Sequence, residues 1–380
     1  MLKIQSLFTF LCCIPFLLSY KLKVTLNNED SITALTQVKT NISRTFLSGG
    51  SQNGSIKIWD IENGKLIFHF NQSNGGHSRW IKTLEPLDSG YLASGSFDSK
   101  IKIWNIESGN LETTFDVTNG GHVGLIYSLA SLENGFLVSG SEDKTMKLWD
   151  VRNKVLKFTF DQSNGGHTNW VYSLRRLENG YLASGSYAEL KIWNMRNLKL
   201  IYNFEESNGG HTNWVESIIQ LEDGNLATGS LDNTIKVWDL EIGKLKFTFD
   251  GSNGGHYGYI YSLAQLENGF LASSSRDTTI KIWDLRNGKL KYTFDQRNGG
   301  HTDWVLKLTL LENGYLASSS KDKTIKIWDP INGKLQFTFD KQNGGHSNEI
   351  WEMVSLTDGY LASGSRDYKV KIWNVSSTFY

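Results

Sequence analysis

Beyond residue 13 this chain has no cysteine; Cys12 and Cys13 are the only two. Disulfides, thiol catalysis and cysteine-based zinc sites are therefore excluded for nearly all of it. Proline is almost as scarce, at three residues in 380, and no stretch spaces its apolar residues as a helix would. Charge of one sign is lacking too. The 39 basic residues equal the 39 acidic ones, which argues against a nucleic-acid binder working by bulk electrostatics. There is no Gly-Lys-Ser phosphate loop. The longest apolar run, Leu7 to Leu18, is broken by Thr9 and Pro15 and falls short of the ~20 residues a spanning helix needs.

What the chain has in abundance is one unit, copied. Gly255 to Asp284 reads GHYGYIYSLAQLENGFLASSSRDTTIKIWD. Its tryptophan recurs at Trp59, Trp104, Trp149, Trp193, Trp238, Trp283, Trp328 and Trp373, in steps of 45 with a single 44. Gly-Gly-His recurs seven times, ending at His77, His122, His167, His211, His256, His301 and His346, each 18 residues after the preceding tryptophan. Such a period is read before anything else. Ile280 and Ile282 alternate with Thr279 and Lys281, the pattern of a half-buried strand. Asn268-Gly269 and Asn287-Gly288 are hairpin signals. In the run Lys289 to Phe294 that follows, Leu290, Tyr292 and Phe294 share one face. Each period thus holds four short strands joined by tight turns, the signature of a propeller blade.

Gly-Gly-His followed by LASGS-x-D-x-TIKIWD resembles the repeat of the WD40 proteins. The resemblance covers residues 21 to 380 and recurs eight times. It implies an all-β propeller of eight blades, with seven as the alternative, each blade four antiparallel strands. Residues 21 to 380 number eight times 45. Lys21 to Leu26 should pair with the last copy's strand ending at Trp373 and close the ring, which removes a sheet edge. Two copies depart from the pattern. The segment 21 to 60 lacks Gly-Gly-His and carries Gly49 and Asn53 where others have Ser and Asp. The fourth copy is one residue short and has Ala188 in place of Asp.

Taken alone, a set such as His256, Ser273 and Asp277 suggests nucleophile, base and orienting acid. A catalytic set is needed once, however, and this one recurs around the chain. The resemblance implies that His, Ser or Thr, Asp and Trp form a hydrogen-bonded network inside each blade. The complete sets are His77-Ser94-Asp98-Trp104, His122-Ser139-Asp143-Trp149, His211-Thr228-Asp232-Trp238, His256-Ser273-Asp277-Trp283, His301-Ser318-Asp322-Trp328 and His346-Ser363-Asp367-Trp373. The fourth copy lacks its Asp, which puts that blade's rigidity in question. No residue is assigned as catalytic, none as a metal ligand, and no cofactor is expected: one histidine per blade cannot converge on a metal. The lysines of Ile-Lys-Ile-Trp (Lys57, Lys102, Lys147, Lys191, Lys236, Lys281, Lys326, Lys371) read as a solvated face.

The positions that vary carry the functional reading. Three residues after each histidine stand Trp80, Leu125, Trp170, Trp214, Tyr259, Trp304 and Glu349. Just before the Asp, or before Ala188, stand Phe97, Glu142, Tyr187, Leu231, Arg276, Lys321 and Arg366. By resemblance both sets lie on the top face, where partners bind. Trp80, Trp170, Trp214, Tyr259, Trp304, Phe97, Tyr187, Arg276, Lys321 and Arg366 are the candidate partner-binding residues, since aromatics and Arg are the usual anchors. The expected function is a non-catalytic scaffold or adaptor holding a protein or peptide, as a monomer or as a subunit of a larger complex, with no nucleic-acid partner. The alternatives are a secreted recognition module, and a small ligand or substrate in the central channel. A unique acidic or His cluster would favour the channel, and the sequence displays none. Residues 1 to 20 read as an apolar, signal-like leader: the protein is secreted or lumenal if they direct export, and otherwise cytoplasmic. The sequons at Asn41, Asn53, Asn71 and Asn374 read as chance matches in an Asn-rich chain.

Overall fold

A computed structural model describes residues 20–40 and 44–376. The leader, its two cysteines and the Asn41 sequon lie outside the described residues, apart from Tyr20. Eight four-stranded antiparallel sheets form the ring. In blades 1 to 7 the strands run in chain order from the central axis outward, and blade 6 is representative: Ile260–Leu266, Phe270–Ser275, Ile280–Asp284 and Lys289–Phe294. Blade 8 is assembled from both ends of the chain. Lys21–Asn27 pairs antiparallel with Lys369–Asn374, placing Leu22 opposite Trp373 and Leu26 opposite Val370. The expected closure is therefore observed, and the ring has eight blades. Among the described residues no helix is long and apolar enough to cross a membrane.

Local chemistry explains the strands. The second strand of each blade, Leu-Ala-Ser-Gly-Ser or a near copy, is buried along its whole length, so it needs small residues where neighbouring backbones approach. At Gly95 an added Cβ would lie 2.6 Å from Ile126 of the next blade. The Asn268-Gly269 turn behaves as the hairpin signal predicts, with Asn268 at φ 61° and Gly269 at φ 74°, two consecutive positive φ values that define the type I′ turn; at Asn287-Gly288 only the glycine, at φ 67°, is left-handed.

Blades are mortared together by aromatic pairs. The last phenylalanine of one blade lies against the tryptophan of the next: Phe70 on Trp104 at 4.3 Å, Phe249 on Trp283 at 4.3 Å, Phe294 on Trp328 at 4.4 Å. Burying a ring of this size stabilises the fold by about 4–6 kcal/mol.

The Ile-Lys-Ile-Trp lysines correct an expectation. They are not a solvated face: Lys57, Lys102, Lys191, Lys281, Lys326 and Lys371 are all at most 9% exposed. The reason is the register. Lys102 lies opposite Thr114 on the outer strand, and its ammonium donates to Thr114 Oγ1 at 3.3 Å; Lys281 and Lys326 do the same to Thr293 and Thr338. Burial lowers the pKa of Lys102, and the nearby Asp98 partly offsets it.

Candidate functional site

The histidine loops, which carry Trp80, Trp170, Trp214 and Trp304, and the turns after the second strands lie on one rim of the ring, called here the top. Beneath it sits the repeated polar network. In blade 2 the Trp104 indole N–H donates to Ser94 Oγ at 2.9 Å, Ser94 meets His77 Nε2 at 2.7 Å, and His77 Nδ1 meets Asp98 at 2.9 Å. A carboxylate only accepts, so Nδ1 carries the proton, Nε2 accepts from the serine, and the serine accepts from the indole. All seven such histidines are at most 2% exposed, and burial lowers each of their pKa values. Every buried polar atom along the chain of bonds thereby finds a partner.

Blade 4 corrects the expectation of a broken set. Ala188 supplies no carboxylate, but Glu189 does. Its Oε2 lies 2.9 Å from His167 Nδ1 and its Oε1 accepts from Thr168 Oγ1 at 2.9 Å. His167 Nε2 meets Ser184 at 2.6 Å, and Trp193 donates to Ser184 at 2.8 Å. Deleting one residue from the turn moves the carboxylate one position on, and the extra methylene of Glu spans the gap. His167 and Thr168 together hold the Glu189 carboxyl down at about 2, against its burial. The shortened turn also reaches sideways. Tyr187 forms a β-bridge with Trp214 of blade 5, and Ala188 N donates to Asn213 O at 3.1 Å.

Blade 1 has no such network. Gly49 stands at the serine position, and the Trp59 ring moves in so far that an added Cβ would lie 2.8 Å from it. Asn28 bonds instead to Ser51 Oγ at 2.6 Å and to Asp30 O at 2.9 Å.

The structure brings most of the sequence-selected rim residues into two contact series. In the first, Trp170 and Trp214 are neighbours at 5.3 Å, and Tyr187 meets Trp214 edge-on at 5.4 Å. Trp80 contacts Phe97 at 5.2 Å. In the second, Arg276 lies over Tyr259 at 4.9 Å and over Trp304 at 4.4 Å, and Lys321 lies over Trp304 at 3.7 Å. Lys321 and Arg366 both approach Glu349, at 4.0 and 3.8 Å. One carboxylate thus faces two cations, and the arc stays positive. Among the candidates only Tyr187, Arg276 and Arg366 are exposed; the other rings and Lys321 are half-buried.

Sequence reasoning missed a further layer. Five residues after each histidine stand Lys82, Tyr127, Tyr172, Glu216, Tyr261, Leu306 and Trp351. Lys82 of blade 2 lies 5.4 Å from the Tyr172 ring of blade 4, and blades that do not adjoin meet only across the axis. Lys82 also interacts with Glu216 of blade 5 and Glu352 of blade 8, and these together hold its pKa above the ordinary lysine value although burial opposes it. Burial raises the pKa of Glu216, against the attraction of Lys82 and Lys307. Lys307 and Glu352 pair at 3.1 Å. The channel is therefore crossed by charge of both signs, flanked by stacked rings such as Tyr127 on Tyr172 at 4.9 Å. The signal was available: this position varies among copies as much as the rim does. No group of three or more His, Cys, Asp or Glu suited to a metal occurs among the described residues.

The sequence profile described as "WD domain, G-beta repeat" matches residues 20–60, 65–105, 110–150, 199–239, 243–284, 288–329 and 333–374. It passes over residues 151–198, which hold the first three strands of blade 4. Among solved structures, the crystal structure of the computationally designed Ika8 protein is similar, at 27% identity and a TM-score of 0.77, over 93% of this chain and all of that one. No curated protein matches the chain.

Proposed function

The chain belongs to the WD40 repeat family, and from that premise we propose that it is a scaffold or adaptor whose top rim holds a protein or peptide partner. Propellers of this family generally serve as protein-interaction scaffolds. The observation that carries the finer reading is the rim itself: half-buried aromatics in contact from blade 4 to blade 5, and a cationic arc over blades 6 to 8. An extended peptide with an apolar anchor and acidic or phosphorylated groups complements both, through desolvated rings and Arg–anion bonds. The seven hydroxyl–histidine–carboxylate sets, five of them Ser-His-Asp, support no hydrolytic role, because each is buried and each is already committed to a tryptophan.

Affinity capture with the full chain identifies the partner, and substitution then tests the face. Replacing Trp170 and Trp214 together by Ala should weaken binding by on the order of 2–4 kcal/mol, while melting changes less than for Trp238→Ala. Full-affinity binding by a folded double variant would remove the top-rim assignment. The channel layer favours a second reading, a small ligand held among Lys82, Tyr172 and Glu216. Lys82→Met should abolish the capture of such a ligand and leave rim binding intact; loss of both, or of neither, counts against it.

A further inference from the structure

On the face opposite the histidine loops, a tight turn joins the third strand of a blade to the fourth. Five of these turns place glycine at the positive-φ residue: Gly64, Gly109, Gly243, Gly288 and Gly333. The other two place a side chain there, Lys154 at φ 58° in blade 3 and Leu198 at φ 59° in blade 4. An L-residue is disfavoured in that region because its Cβ crowds the following carbonyl oxygen; the turns after the second strands also hold such residues, Lys144, Thr278 and Lys323 among them, but of the turns from third to fourth strand only those of blades 3 and 4 do. Lys154 and Leu198 both line cavities. Leu198, with Met195 and Tyr181, walls a cavity of 570 Å³ between blades 3 and 4. Lys154 lies at one of 340 Å³ between blades 2 and 3, and the two share Leu132, Phe136 and Arg176.

At two other positions a basic side chain lies over the equivalent ring, although a smaller opening of 210 Å³ remains beside Tyr360 between blades 7 and 8. In blade 6, Arg286 and Lys291 lie over Phe270 at 5.1 and 3.9 Å, and in blade 8 Lys23 lies over Tyr360 at 3.9 Å. The aromatic mortar also turns here: Phe160 meets Trp193 edge-on, at 5.0 Å and 63°, where Phe294 and Trp328 stack at 6°. The mouth is cationic. Arg176 and Lys154 have carboxylate partners in Glu133 and Glu112, whereas Arg152 and Arg196 are exposed and, among the described residues, have none.

We propose that this cleft binds a small anionic amphiphile, its apolar or aromatic body against Leu198 and Met195 and its acid group at Arg196. The volume falls in the range of small-molecule sites, a guanidinium suits an oxyanion, and the strained Leu198 turn is explained by the wall its side chain supplies. The full chain should bind 8-anilinonaphthalene-1-sulfonate saturably, and dodecanoate should displace it. Met195→Trp fills the cavity and Arg196→Glu reverses the charge; each should weaken binding by about tenfold or more, the equivalent of one lost charged contact. Leu198→Gly should weaken it similarly while the chain melts at or above the parent temperature, because glycine suits the turn. That variant separates lost binding from lost folding. Arg286→Glu, at the covered groove of blade 6, should change nothing. Absence of a saturable signal, or equal binding by the parent, Leu198→Gly and Arg196→Glu, would overturn the proposal.

Discussion

Blades 1 and 4 depart from the repeat in opposite ways. Blade 1 keeps the recognisable words, Ile56-Lys57-Ile58-Trp59-Asp60, and the family profile matches it, yet it has no histidine network. Blade 4 loses the expected Asp and the profile passes over its first three strands, yet its network is complete through Glu189. What the fold demands is therefore a physical condition, and the motif is one way of meeting it. Buried donors need acceptors and the space under the tryptophan must be filled. Blade 4 meets the demand with a carboxylate moved along by one residue. Blade 1 drops the serine and the histidine of the network, and Trp59 packs against Gly49 in the space they leave.

The largest test of this contrast removes what blade 1 leans on. Deleting residues 21–27 takes away the outer strand of blade 8 and the segment leading into Asn28. It should expose a sheet edge and lower the melting temperature by at least about 10 °C, several kcal/mol for a domain of this size, with loss of solubility. A variant that melts and dissolves like the parent would mean that closure is not what holds blade 1.

Acid separates the two blades next. Each network histidine has its pKa lowered on folding, so its stabilisation is complete above the unfolded value of about 6.5. Below that, the unfolded chain takes up protons that the folded chain refuses. Each histidine then costs up to ~1.4 kcal/mol per pH unit until its folded value is reached. Melting temperature should fall steadily from pH 6.5 to 5. A second loss should follow from about pH 4.5 toward 2, as Asp143, Asp367 and Glu189, held at about 2 in the fold, are protonated. Blade 1 has only the partly buried His69, whose pKa burial lowers against the pull of Glu29, and should show the smaller pH dependence in local amide exchange. A flat profile between pH 7 and 5 would contradict the buried neutral imidazoles.

The smaller effects come from single side chains. Glu189→Ala leaves His167 and Thr168 without their acceptor and should cost roughly 1–3 kcal/mol in denaturant unfolding, the same range as Asp277→Ala in an ordinary blade. Glu189→Asp is one methylene short at this position and should behave like the Ala variant. If it were neutral, the longer reach of Glu would not be the compensation.

The sequence made the blade count, the strand order and the closing pair legible, because a 45-residue period and Asn-Gly turns leave few alternatives. The rim neighbours Trp170 and Trp214 could be read for the same reason. Other features follow from what a repeat hides. Glu189 sits one place off the template, so reading by position passes over it. The Ile-Lys-Ile-Trp lysines alternate with apolar residues and resemble a wet face, although the adjoining strand supplies threonine acceptors. The channel charges come from blades distant in sequence, and only closing the ring sets Lys82 opposite Tyr172 and Glu216. The open cleft between blades 3 and 4 is walled in part by Leu198, whose left-handed backbone no composition reveals.

One measurement bears most directly on the claim that the network is a condition met by physics and not by motif: imidazole titration of all the histidines by NMR, from pH 8 to 5. His167 should remain neutral with its proton on Nδ1, alongside the six histidines paired with Asp. In Glu189→Ala the His167 signal alone should change. If His167 instead titrates in the parent chain like a free imidazole while the other six stay neutral, blade 4 is broken and Glu189 does not repair it.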